Sequence, residues 1–135
     1  MQAYYSVAIV TLLSGMLCFF MAVLVSRTRR ACGIAAPAMS GDPLLERTIR
    51  AHSNTLEWMP IFLPALWLYA IYWSPVWAAI LGAVWIVGRL AYLFGYRAAP
   101  GKRFLGFLIQ SLAVSALVLG AFGRVVYLMI VSSQT

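Results

Sequence analysis

Five polar residues between positions 46 and 57 are spaced to act together. On a helix advancing 100° per residue, Glu46, Arg47, Arg50, Asn54 and Glu57 fall within an arc of about 100°, one stripe over roughly three turns. Glu46 and Arg50 stand four apart and are expected to pair, and Arg50 can reach Asn54. Glu57 lies about 10 Å of helix rise beyond Arg50, so it needs a partner on another helix or on a ligand. Arg89, Tyr92 and Tyr96, at i, i+3 and i+7, supply that partner face: one guanidinium and two phenols. Lys102 and Arg103 follow shortly after, and Arg29 and Arg30 close an earlier apolar run. Three acidic residues stand against ten basic ones in the whole chain, so this cluster suits an anionic partner, best a zwitterionic or polycarboxylate small molecule. His52 points to roughly the opposite side of the stripe. With no second histidine or nearby cysteine, it reads as an interfacial hydrogen-bonding residue, and no metal site is expected.

The elements that position these groups follow from composition. Of 135 residues 64% are hydrophobic and 10% charged, with a mean hydropathy of +0.91, far from soluble averages of roughly half apolar and a quarter charged. At about 20 residues per crossing the length accommodates roughly four spanning helices and little else. The 24 uncharged residues from Ala3 to Ser26 make the first. A cleaved signal peptide is not expected, because the basic cluster Arg27, Arg29, Arg30 follows the run and does not precede it. Breakers from Gly33 to Pro43 form a loop, Trp73-Ser74-Pro75 separates the second and third helices, and a short basic loop precedes the 20 uncharged residues from Phe104 to Gly123. The expected helices run over about 3–26, 44–73, 75–96 and 104–131: an all-α, four-helix membrane bundle formed by one domain, 1–135. The two loops on one side carry the basic residues and the single loop on the other carries none. That asymmetry predicts basic loops in the cytoplasm and both termini outside it.

Scattered arginines interrupted by apolar runs make no surface for a phosphate backbone, so no nucleic-acid partner is expected. Cys18 and Cys32 lack metal or redox spacing. An exporter of cations is disfavoured, because the arginines around Glu57 would repel its cargo. The bland alternative is structural: Glu57 holds helices together through Arg89 or Arg50, and the loop arginines set topology and bind membrane lipid.

The stretch from Glu46 to Pro60, which reads E-R-x-x-R-A-x-x-N-x-x-E-x-x-P, resembles the signature of the MAPEG superfamily, the membrane-associated proteins of eicosanoid and glutathione metabolism. Gly88-Arg89-Leu90-Ala91-Tyr92-Leu93-Phe94-Gly95-Tyr96, followed by Arg103, resembles the family's third helix and the start of its fourth. The resemblance implies a homotrimer binding glutathione between neighbouring protomers near the cytoplasmic face, with activity as a glutathione transferase or peroxidase on lipophilic substrates from the bilayer. It places Glu57 near the amino group of glutathione and Arg50 near a carboxylate, with Asn54, Arg89, Tyr92 and Tyr96 lining the same site. Arg29, Arg30, Arg47, His52 and Trp58 complete the implied contacts. Arg103 matches the arginine that stabilises the thiolate in the leukotriene-forming synthase, with Lys102 as the neighbouring alternative. Trp58 stands where conjugating relatives often carry tyrosine, while Ser53 and Phe104 depart from the prostaglandin-forming synthase and argue against that activity. A non-enzymatic lipid-binding or scaffold role is the alternative within the family. Short loops favour a bacterial inner membrane, or the endoplasmic reticulum in a eukaryote.

Overall fold

The computed structural model describes residues 2–134, and every regular element in them is helical. A 3-10 turn (Gln2–Tyr4) leads into α1 (Tyr5–Cys32), followed by α2 (Pro43–Tyr72) and α3 (Pro75–Ala98). A second 3-10 turn (Pro100–Arg103) then enters α4 (Phe104–Ser132).

The boundaries correct the expected ones where charge had been equated with a helix end. α1 continues past Ser26 through Arg27, Arg29 and Arg30, since arginine is a good helix former and the apolar run marks only the hydrocarbon thickness. The helix stops where glycine permits a left-handed residue. Gly33 has φ 69°, its N–H donates to the carbonyl of Arg30, and the Ile34 N–H donates to that of Arg29, a Schellman termination. α3 likewise runs beyond Tyr96 to Ala98, and α4 reaches Ser132.

α2 begins at Pro43, one residue ahead of expectation, with Asp42 as its cap. The Asp42 carboxylate accepts from the N–H groups of Leu44 at 2.8 Å and Leu45 at 3.0 Å. These bonds, that of Leu45 foremost, hold the carboxyl below its usual range, helped by the Cys32 thiol. A group with a depressed folded pKa stabilises fully above its ordinary pKa and loses that contribution as pH falls through the folded value. Asp42→Ala is therefore expected to melt below the parent at neutral pH, with the gap closing on acidification below the carboxylate range. Asp42→Asn, which retains the cap, should stay close to the parent. Thermal unfolding in detergent across pH checks both.

The bundle core is built by interdigitation of all four helices. Phe62 of α2 stacks on Trp85 of α3, with ring centroids 3.9 Å apart, among Val7, Val10, Leu66, Val114 and Leu117. A second cluster of Leu17, Met21, Ala51, Tyr92 and Leu93 lies nearer the basic end. The closest approach is between α3 and α4, where a Cβ on Gly106 would lie 2.1 Å from the Tyr92 nitrogen. Large apolar side chains cover the outside, Leu119 and Phe122 of α4 each being 69% exposed, the surface expected of a body solvated by lipid.

Among the described residues, three of the four helices are both long and apolar enough by composition to cross a membrane: α1, α3, and α4 with its preceding turn. α2 has the length but gives its first half to charged residues and carries Pro60 and Pro64, which the helix accommodates without interruption.

Candidate functional site

The basic end of the bundle is drawn together by α3. Arg97 donates through Nη1 to Thr28 of α1 at 3.1 Å and to Thr48 of α2 at 2.5 Å, and its own carbonyl accepts from Arg47 Nη2 at 3.2 Å. Three helix ends are thus fixed by one guanidinium. Arg97 lies one residue beyond the expected end of the third helix, and only the packed structure gives it this part.

Next to this tie lies a cleft of about 690 Å³, within the usual range for small-molecule sites, lined by Arg50, Asn54, Tyr92, Pro100, Gly101, Arg103, Phe104 and Phe107. α2, α3, the second 3-10 turn and α4 each supply part of the wall. Arg103 rises from the start of α4 with its guanidinium over the Tyr96 ring, 4.8 Å from the centroid. Arg103, and not Lys102, faces the cleft. Among the described residues no carboxylate lines this cleft, so two arginines offer their charge to whatever enters it.

Behind the wall, Arg89 is 0% exposed and hydrogen-bonded along its whole fork. Nε and Nη2 donate to Thr55 Oγ1 at 3.1 and 2.6 Å, Nη2 also reaches the Ala51 carbonyl at 3.4 Å, and Nη1 donates to Asn54 Oδ1 at 3.1 Å. Its guanidinium carbon lies 4.5 Å from the centroid of the Tyr92 ring. The expected partnership of Arg89 with Glu57 is therefore not direct: Asn54 stands between them, its Nδ2 donating to Glu57 Oε2 at 3.4 Å.

With this geometry in place, comparison with known proteins decides the family: residues 7–130 match the sequence profile of the MAPEG family. The chain belongs to the MAPEG family. Its MAPEG relatives include the microsomal glutathione S-transferase 2 of Homo sapiens, 40% identical over 118 residues, covering 86% of this chain and 80% of the relative. The leukotriene C4 synthase of Mus musculus is 33% identical over 121 residues, covering 89% and 81%. An uncharacterized protein of Synechocystis is 46% identical over 114 residues, covering 84% and 83%. MAPEG proteins are membrane bundles, in keeping with the helices described above.

The remaining residues singled out from the MAPEG signature divide among neighbouring surfaces. Arg47, Arg50 and Tyr96 line a smaller cleft of about 310 Å³ with Pro43, Glu46 and Pro100, so Arg50 serves both. Glu46 does not pair with Arg50 as expected; its Oε1 accepts the Gly41 N–H at 3.0 Å and secures the loop ahead of α2. Arg29 and Arg30 line a separate cleft of about 350 Å³, where Arg29 also donates to the Ala38 carbonyl. Trp58 packs against the central core, and His52 is half-buried and outside every cleft named here. Within a single chain the structure therefore unites Arg50, Asn54, Tyr92 and Arg103, and leaves Arg29, Arg30, His52, Glu57, Trp58 and Arg89 off that cleft.

Proposed function

We propose that the protein is a membrane-embedded glutathione transferase, with peroxidase capacity, that binds glutathione in the cleft and activates its thiol beside Arg103. The observation that carries this reading is the cleft itself: Arg50 and Arg103 line it together with Asn54 and Tyr92, and no carboxylate among the described residues does. Glutathione has two carboxylates and an ionisable thiol, which suits two cations placed apart. Arg50 takes a carboxylate, Asn54 takes the amino-acid end together with Glu57, which lies just beyond the cleft wall and accepts from Asn54, and Arg103 faces the sulfur. The thiolate then attacks a lipophilic electrophile, forming the thioether and expelling the leaving group, or attacks the outer oxygen of a lipid hydroperoxide, breaking the O–O bond to release the alcohol and leave glutathione sulfenic acid, which a second glutathione converts to the disulfide and water. An apolar groove of about 300 Å³ along α1, lined by Met16, Phe19, Phe20, Val23 and Leu24 with Arg27 at one end, supports recruitment of that second substrate from the bilayer.

The homotrimer implied by the family signature belongs to the same reading. Arg29 and Arg30 do not share a cleft with Arg103 in one chain, and a neighbouring protomer would bring them to the edge of its site. The excess of arginine and lysine at the basic end supports a cytoplasmic position for the site, by the positive-inside rule.

The test is ultraviolet absorbance of the thiolate on adding glutathione to detergent-solubilised protein at neutral pH. A thiolate band that saturates with glutathione is expected. Saturable glutathione binding without the band would overturn activation and leave a binding or scaffold role, and absence of binding would overturn glutathione as the ligand.

A further inference from the structure

Among the described residues Arg89 is a buried cation whose hydrogen-bond partners are all neutral, an arrangement that demands a reason in an apolar bundle. Its Nε and Nη2 bonds to Thr55 and Ala51 already fasten α3 to α2. The remaining bond, from Nη1 to Asn54 Oδ1, reaches a residue that lines the cleft. Arginine offers only donors, so the carbonyl end of the Asn54 amide must face it, and the NH2 end must face away. There one amide hydrogen goes to Glu57 Oε2 at 3.4 Å and the other is left for a ligand in the cleft.

We infer that Arg89 is a positioning residue, which locks the Asn54 amide so that Asn54 and Glu57 present a donor and an acceptor side by side to an α-amino-acid terminus. The donor meets the terminal carboxylate and the Glu57 carboxylate meets the ammonium. A free asparagine amide can turn over and present either end; a fixed guanidinium behind it removes that choice, and its charge polarises the amide toward donation. Lysine cannot replace it, because a single ammonium cannot hold Thr55 and Asn54 in the places of a planar fork. Arg89 also backs Tyr92, so two lining residues of the cleft rest on one buried group. This inference rests on the proposed binding of glutathione, whose γ-glutamyl end is such a terminus.

The test compares the parent, Arg89→Lys, Asn54→Ala and the double variant, each assayed for binding of glutathione and of an analogue whose terminal α-carboxylate, on the γ-glutamyl end, is replaced by hydrogen. Arg89→Lys keeps the charge and is expected to retain the fold, checked by size-exclusion and melting. Each single substitution should weaken glutathione binding about tenfold, the effect of one charge-assisted contact, and the analogue by much less. The double variant should be no weaker than the worse single one, as residues acting in series require. Turnover of Arg89→Lys at saturating glutathione should fall far less than that of Arg103→Ala. Additive losses, or equal losses for glutathione and the analogue, would overturn the relay and leave Arg89 a packing residue. An Arg89→Lys chain that fails to fold would overturn it equally, since the guanidinium would then be needed by the bundle itself. A parent that binds neither ligand would overturn the glutathione reading, and this inference with it.

Discussion

Arg103→Ala is expected to lower glutathione-dependent turnover by roughly 10²- to 10³-fold, the cost of removing one preorganised group from a developing or resident anion. A thiol of pKa about 8.5 is only a few per cent ionised at neutral pH, and the thiolate is the nucleophile. Moving that pKa down by about two units takes roughly 2.7 kcal/mol of preferential stabilisation of the anion, within reach of one guanidinium in a partly dry cleft. Arg103 is placed for this at the cleft wall, held over the Tyr96 ring, with Phe104 and Phe107 lining the same cleft. The sign of the pH dependence separates activation from binding. With the arginine, turnover should be nearly flat above the lowered thiol pKa; without it, turnover should climb close to tenfold per pH unit until the ordinary thiol pKa is reached. Glutathione affinity should change little, because Arg50 and Asn54 remain. Lys102→Ala, which alters a side chain outside the cleft, should keep the parent profile. Stopped-flow absorbance of the thiolate and steady-state rates from pH 6 to 9 (about the range that brackets both values) check the pair. A variant whose rate falls equally at every pH would show that Arg103 binds glutathione and does not activate it.

Much of this site was legible in the residues because helical periodicity is a strong constraint. The arc containing Arg50 and Asn54 needed only 100° per residue, and α2 is a continuous helix through both prolines. Arg103 was legible from its place after the third apolar run. What escaped was every contact made by hydroxyls. Thr28, Thr48 and Thr55 each return a hydrogen bond to a carbonyl four residues earlier, as an ordinary helical threonine does, and nothing local marks them as acceptors for Arg97 and Arg89. Opposite charges attract attention in a sequence, so Arg89 was matched to Glu57; packing instead gave it neutral oxygens and set Asn54 between the two. The Asp42 cap had a local signal, an aspartate directly before a proline at a helix start, obscured by the irregular loop around it.

Gly106→Val is expected to cost about 3 kcal/mol or more, the upper end for overpacking, and to abolish the cleft with the fold. A Cβ at this position would lie 2.1 Å from the Tyr92 nitrogen, 2.5 Å from its Cα and 2.7 Å from the Ala91 carbonyl carbon. These are backbone atoms of a packed helix, so no side chain can rotate away and α4 as a whole must withdraw from α3. The same two helices carry Tyr92 on one side of the cleft and Phe104 and Phe107 on another, so withdrawal pulls its walls apart and destroys the cleft in which the proposed mechanism sets Arg103 against the sulfur. One further position repeats the close approach along the pair, a Cβ on Gly88 lying 2.7 Å from the Gln110 nitrogen, and one on Gly95 would lie 2.4 Å from the Lys102 carbonyl oxygen in the turn that leads into α4. Gly88 and Gly106 therefore set the separation of α3 and α4, and Gly95 that of α3 and the turn. Gly106→Ala should show the same defect in milder form, with glutathione binding lost before the helix content. Gly123, later in α4, has nothing within 4 Å of a built Cβ, and Gly123→Ala should hold or raise the melting temperature, since alanine is the better helix former. Melting in detergent and glutathione binding, measured on the three variants together, distinguish a contact-specific clash from a general intolerance of substitution in α4, because only the first spares Gly123→Ala.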